Sequence, residues 1–176
     1  YGSVDQNIFW PHTSTLSTRT AFIYDKKVWT YSVQLQTDLS TRGVGVLIHE
    51  MLHSIGFPDL YHYSYDGVAP VWKWDPMEEH TNPPQHPLAY MKHRYGGWID
   101  AIPTITTPGT YTLKPLTSST DNAYRINSPY TSNAYFVAEY PKKTGPFEGS
   151  LPGEGLLVSR IDRTRTGRGN GAGPPD

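Results

Sequence analysis

The residues best placed to do chemistry are the pentapeptide His49-Glu50-Met51-Leu52-His53, an H-E-x-x-H pattern. On an α-helix, residues four apart lie on one face, about 6 Å apart. Two imidazoles so placed can hold one zinc ion, each through one ring nitrogen at roughly 2.0–2.1 Å. Glu50 then flanks the metal on a neighbouring face. That position suits a general base acting on a metal-activated water better than a third ligand. The bland alternative is two helix-surface histidines beside a solvated glutamate. A chance H-E-x-x-H arises on the order of once in a hundred chains of this composition, and the residues that follow weigh against it.

A catalytic zinc site uses three protein ligands and leaves one position open. The pattern continues as H-E-x-x-H-x-x-G-x-x-D, through Gly56, Pro58 and Asp59. Gly56 can take the left-handed conformation that ends a helix, and Pro58 stops the helix from resuming. Asp59 then arrives where it can swing back to the metal, although Asp is also an ordinary turn residue. Rival third ligands are His62, Asp66, Glu78 and Glu79. Glu78 or Glu79 would suit zinc proteases that take a glutamate from a second helix. A donor to a developing oxyanion is also expected, with Tyr61, Tyr63, Tyr65 and His80 as candidates.

These groups need a scaffold. Residues 40–55 read as one helix, with Ser40 or Thr41 as N-cap. Val44, Leu47, Ile48, Met51, Leu52 and Ile55 form its apolar stripe. Gly43 and Gly45 weaken the first turns, each by up to about 1 kcal/mol. Upstream, residues 20–24 and 28–35 read as strands joined by a turn at 25–27. In the second, Trp29, Tyr31, Val33 and Leu35 share a face, as a strand with one buried face would have. Residues 60–86 read as irregular chain around the metal. Residues 87–95 read as a short helix, with Pro87 near its first turn and Gly96 at its end. Beyond 100, residues 109–115, 123–127, 134–140 and 156–161 read as strands between Pro, Gly, Ser and Asn clusters. The expected class is α+β: a catalytic region over 1–99, then an antiparallel β-rich region over 100–176 packed on it.

Composition narrows the function. A net charge of -1 over 176 residues gives no electrostatic case for nucleic acid. Arg160, Arg163, Arg165 and Arg168 read as a solvated loop cluster. Cysteine is absent, which excludes disulfides and thiol chemistry. No apolar stretch approaches the roughly 20 residues of a membrane span. The chain starts with Tyr1, shows no signal peptide and ends in loop-like composition over 167–176, so the natural chain is expected to continue. Calcium is a second candidate ion, since Asp and backbone carbonyls bind it, but no calcium loop is readable.

The block from Gly45 to Tyr61 resembles the active-site signature of the immune inhibitor A family, secreted zinc metallopeptidases related to the metzincins. Ile8-Phe9-Trp10-Pro11-His12 is similar to that family's upstream I-W-P-H element. Trp74-Asp75-Pro76-Met77 is similar to its W-D-x-M element, which holds the methionine of a Met-turn. Residues 82–92 with Gly97-Trp98 look like its post-site helix, and Glu139-Tyr140 and 155–158 like its later strands. The resemblance runs from about residue 8 to about residue 162.

It implies zinc as cofactor, His49, His53 and Asp59 as its ligands, Glu50 as catalytic base, and Gly56 and Met77 as structural support. It also implies a protein or peptide substrate and an extracellular location. Met51-Leu52 replaces a commoner Phe-Gly pair, and Glu78-Glu79 stands where small polar residues are usual. Few residues precede His49, so the metzincin-like unit is expected to be N-terminally incomplete. Two rivals to a zinc endopeptidase remain. One is an inactive or structural zinc protein on a peptidase fold, such as a filament or surface subunit. The other is a carbohydrate- or surface-binding β module, for which the 13 tyrosines are the cue.

Overall fold

The computed structural model describes residues 10–63 and 67–165. Ile8, Phe9, Tyr65, Asp66, Arg168 and the 167–176 tail lie outside them. The architecture is mixed α+β, with short helices and several small sheets. Strand β1 (His12–Thr15) pairs antiparallel with β4 (Thr30–Val33), His12 opposite Val33. Between them β2 (Ala21–Ile23) and β3 (Lys26–Val28) form a hairpin turned at Tyr24-Asp25. The expected strand over 28–35 is therefore two strands in two sheets. They part at Trp29, whose carbonyl accepts the Leu16 N–H. The alternation does not mark a buried face: Trp29 is 65% and Tyr31 41% exposed. Val33 and Leu35 on the same face are half-buried, Lys27 Nζ lies over the Trp29 ring, and no core forms there among the described residues.

The expected single helix over 40–55 is also two. Helix α1 (Gln36–Arg42) ends at Gly43, and α2 (Gly45–Ser54) starts two residues later. Ser40 and Thr41 do not cap anything. They sit within α1, and their hydroxyls donate to the Thr37 carbonyl. The break has a steric cause. Gly43 has φ +71°, and a Cβ there would lie 2.3 Å from the Asn82 side chain. A Cβ on Gly45 would lie 2.1 Å from the Thr81 carbonyl oxygen. The two glycines let the start of α2 press against residues 80–82.

After α2 the chain runs irregularly, apart from a 3-10 turn at Trp72–Trp74, and buried polar side chains organise it. The Gln85 amide nitrogen donates to the carbonyls of Lys73 and Glu79, and its oxygen accepts from Thr81. Asp75 is fully buried, and its oxygens accept the N–H groups of Met77 and Leu88. Leu52, Phe57, Leu60, Met77 and Met91 form one core cluster around this segment. Burying each of the larger ones contributes roughly 1.5–3 kcal/mol.

The helix expected over 87–95 is a single α-turn, α3 (Ala89–Met91), continued by a π-helical turn at Lys92–Gly96. Its left-handed residue is Gly97, φ +62°, rather than Gly96. Strands β5 (Thr104–Ile105), β6 (Ala123–Asn127), β7 (Ala134–Glu139) and β8 (Leu157–Asp162) form a sheet in that order. β6, β7 and β8 are antiparallel, while β5 runs parallel to β6, so the sheet is mixed at that edge. Residues 109–115 form no strand; only Pro115 bridges, to Tyr140. The Tyr111 hydroxyl folds back onto the Thr107 carbonyl instead. Arg160 and Arg163 are exposed, as expected, but not in a loop: Arg160 lies on β8 and pairs with Asp162, and Arg163 opens a 3-10 turn.

The two parts share a core where Ala89 packs with Leu116, Ala123 and Val137. There the fully buried Glu139 of β7 accepts the Ala89 N–H through Oε2 at 3.0 Å, and its Oε1 has no partner. Burial pushes the Glu139 carboxyl from its ordinary 4.5 up to about 7, against the opposing pull of the Ala89 N–H and the Lys92 charge.

Two predictions follow from these contacts. Gly45→Ala drives a methyl into a backbone carbonyl that cannot move freely, so it should lower stability by about 1–3 kcal/mol, seen as a lower thermal midpoint. For Glu139 the folded pKa exceeds the unfolded one. Its favourable contribution is therefore complete below pH 4.5 and is lost as pH rises through about 7. Glu139→Gln removes that loss. Denaturant melts from pH 4.5 to 8 should show the variant gaining on the wild type as pH rises, by on the order of 3 kcal/mol. A pH-independent difference would contradict this.

Candidate metal centre

The centre begins with the way α2 stops. The Gly56 N–H bonds the His53 carbonyl at 3.0 Å, and the Phe57 N–H bonds the Leu52 carbonyl at 3.1 Å. That pair of bonds is a Schellman motif, which needs a left-handed residue at its turn. Gly56 supplies it with φ +99°. No atom lies within 4 Å of where a Cβ would be, so backbone conformation rather than space requires glycine. Phe57 then drops into the core cluster that holds Leu52. Its carbonyl accepts the His53 Nδ1 proton at 2.8 Å. One turn thus ends the helix and orients its last histidine.

The second orienting carbonyl comes from the segment 75–77. Pro76 accepts from His49 Nδ1 at 2.7 Å. Asp75 holds that turn by binding the Met77 N–H, and the Met77 carbonyl accepts the Leu60 N–H at 2.9 Å, next to Asp59. Met77 is fully buried in the same cluster as Leu52 of α2.

A carbonyl only accepts, so each imidazole carries its proton on Nδ1 and turns the Nε2 lone pair inward. The Asp59 Oδ1 oxygen lies 3.2 Å from His49 Nε2 and 3.1 Å from His53 Nε2. Three electron-pair donors thus converge, all within 4.8 Å of one another. Asp59 Oδ1 is buried with no hydrogen-bond donor of its own. A cation among the three atoms would satisfy all of them, and in its absence a ring Nε2 that carries a proton donates to Asp59 instead. Without a cation, burial pushes the Asp59 carboxyl up, but hydrogen bonds from His49, His53 and Tyr63 outweigh it and hold the group well below the usual carboxylate range. Burial likewise lowers His53, but its bonds to Asp59 and Phe57 bring the net change upward. Among the described residues this His49–His53–Asp59 group is the one that could hold a metal ion.

Glu50 stands beside it. Its side chain is buried, and Oε2 has no partner. Its main-chain carbonyl accepts from Thr13 Oγ1 of β1 at 2.8 Å, which ties the N-terminal sheet to α2. The Glu50 charge acts on both His53 and Tyr61.

The rival ligands among the described residues, His62, Glu78 and Glu79, have other surroundings. Glu78 Oε2 accepts the N–H groups of Val71 and Trp72, and Glu79 pairs with Lys73 at 3.3 Å. His62 is buried and its charge acts on Glu78. Of the oxyanion candidates, Tyr63 is engaged, donating to Asp59 Oδ2 at 2.6 Å. Tyr61 stacks on His49 with ring centres 6.3 Å apart, and His80 lies 6.0 Å from the same ring. Burial, then the His49 and Arg42 charges, lower the His80 pKa. Both Tyr61 and His80 border the centre. A cleft of about 790 Å³ lies on the Ile48–Met51–Ile55 face of α2, and none of His49, Glu50, His53 and Asp59 lines it.

Comparison with known proteins adds no family: no family model matches the chain, and no curated protein or solved structure is significantly similar to it.

If Asp59 is the third ligand, Asp59→Ala should weaken zinc binding by more than the ~10–100-fold that loss of an outer-shell partner costs. Competition against a chromogenic chelator measures this. Wild-type affinity in the variant would remove Asp59 from the ligand set.

Proposed function

We propose that the protein is a zinc-dependent endopeptidase, with His49, His53 and Asp59 holding the metal and Glu50 acting as general base. The observation that carries the reading is the convergence of two imidazole lone pairs and one orphaned carboxylate oxygen beside a second buried carboxylate. The donor set favours zinc over calcium, because two of three donors are nitrogen and calcium takes oxygen ligands. The ion supplies Lewis acidity and makes water in the site easier to deprotonate.

The chain's own residues do the rest. Glu50 takes the proton of the attacking water and returns it to the leaving amine, a role typically worth 10²–10⁴ in rate. The carbonyls of Pro76 and Phe57 keep both imidazoles in the ligating tautomer. Tyr61 or His80 donates to the oxygen that gains charge. The likeness of residues 45–61 and 74–77 to the immune inhibitor A signature supports a metzincin-like peptidase acting on proteins outside the cell. The burial of Met77 beside α2 agrees with the role that likeness gives it. Among the described residues no helix is long and apolar enough to cross a membrane.

The test pairs metal analysis with hydrolysis of a denatured protein substrate. One zinc per chain and chelator-sensitive cleavage are expected. Glu50→Gln should keep the metal and lose about 10²–10⁴ in kcat. Stoichiometric zinc without chelator-sensitive cleavage points instead to a structural zinc protein. Absence of zinc leaves a binding module.

A further inference from the structure

The two oxygens of Asp59 have different surroundings. Oδ1 faces His49 Nε2 and His53 Nε2 at 3.2 and 3.1 Å. Oδ2 accepts the Tyr63 hydroxyl at 2.6 Å, a length typical of a bond to an ionised acceptor. A carboxylate can bind a cation with one oxygen or chelate it with both. At a tetrahedral centre with three protein ligands, chelation would fill the position that has to stay open.

We infer that Tyr63 is a positioning residue that holds Asp59 as a one-oxygen ligand and thereby keeps the fourth position of the metal open. The inference rests on the metal centre proposed above. The Tyr63 hydroxyl binds Oδ2 rather than the Oδ1 that faces the histidines, so it restrains the rotation of the carboxylate from the other side, with Tyr61 also bearing on Asp59. Tyr63 is 57% exposed, and its ring meets Tyr61 edge-on at 5.4 Å. Losing the hydroxyl therefore removes the bond to Asp59 and leaves the core packing as it is. Tyr63 reaches Asp59 from four residues on, outside any helix or strand.

The test compares wild type, Tyr63→Phe and, as a control, Tyr130→Phe, whose ring is 94% exposed and lies on the far β-rich part. Each protein is stripped of metal and titrated with zinc and with cobalt(II). Tyr63→Phe should still bind one ion but ~10–100-fold more weakly. Its cobalt spectrum should move from the intense visible bands of four-coordination towards the weaker bands of higher coordination. Metal-free Tyr63→Phe should still melt cooperatively, a little below wild type because it lacks the bond to Asp59, and Tyr130→Phe should match wild type throughout. Wild-type affinity and an unchanged cobalt spectrum in Tyr63→Phe would overturn the assignment while leaving the metal centre standing. Failure of the wild type to bind either ion would overturn the metal reading itself, and the role of Tyr63 with it.

Discussion

Two hydrogen bonds from imidazole to main chain govern the centre. His49 Nδ1 to Pro76 and His53 Nδ1 to Phe57 fix which ring nitrogen carries the proton, and so which one is free to bind. Everything around them serves to put those carbonyls where the rings need them. The Schellman turn at Gly56 presents Phe57, and the buried Asp75 presents Pro76 by holding the turn that contains it. The orientation of both imidazoles is thus set by main-chain carbonyls.

A second constraint is close packing at α2. Gly45 lets the helix start against the Thr81 carbonyl, so the segment carrying Asp75, Pro76 and Met77 lies alongside the helix carrying both histidines. Buried carboxylates then extend the support. Asp75 holds Leu88 and Glu139 holds Ala89, so the short helix α3 starts on two acids from two different parts of the chain. Both carboxyls are pushed upward by burial, Asp75 to about 6 and Glu139 to about 7. The site and the C-terminal sheet are joined by polar groups whose ionisation works against folding. Packing of Ala89 with Leu116, Ala123 and Val137 offsets that cost.

Much of the centre was legible from residue spacing. Histidines at i and i+4 must share a helical face, and a glycine followed by proline must turn the chain. Three of the four expected C-terminal strands sit within a residue of their expected bounds, because alternation over five or six residues between turn clusters has few other readings. The misreadings have local causes. The stripe from Val44 to Ile55 suggested one helix from residue 40, but Gly43 and Gly45 were needed for contact with residues 80–82, and that contact broke the helix. Alternation at 28–35 promised a buried face, yet burial depends on a partner layer, which alternation does not contain. Residues 109–115 carried strand-forming Tyr and Thr, but local side-chain bonds to backbone won.

The sequence by itself determined the chemistry on offer: which side chains can bind a metal, which can move a proton, and that a left-handed turn separates them. Those properties belong to residue type and to distances of a few positions, which helix geometry converts directly into space. Only the tertiary structure decided which carbonyls orient the imidazoles, that Glu78 and Glu79 bind elsewhere, and that Tyr63 holds the far oxygen of Asp59. Pro76 lies 27 residues from His49, and no periodic pattern spans an irregular segment of that length. Such contacts follow from how the chain packs, through a glycine that admits a carbonyl and a buried acid that pins a turn.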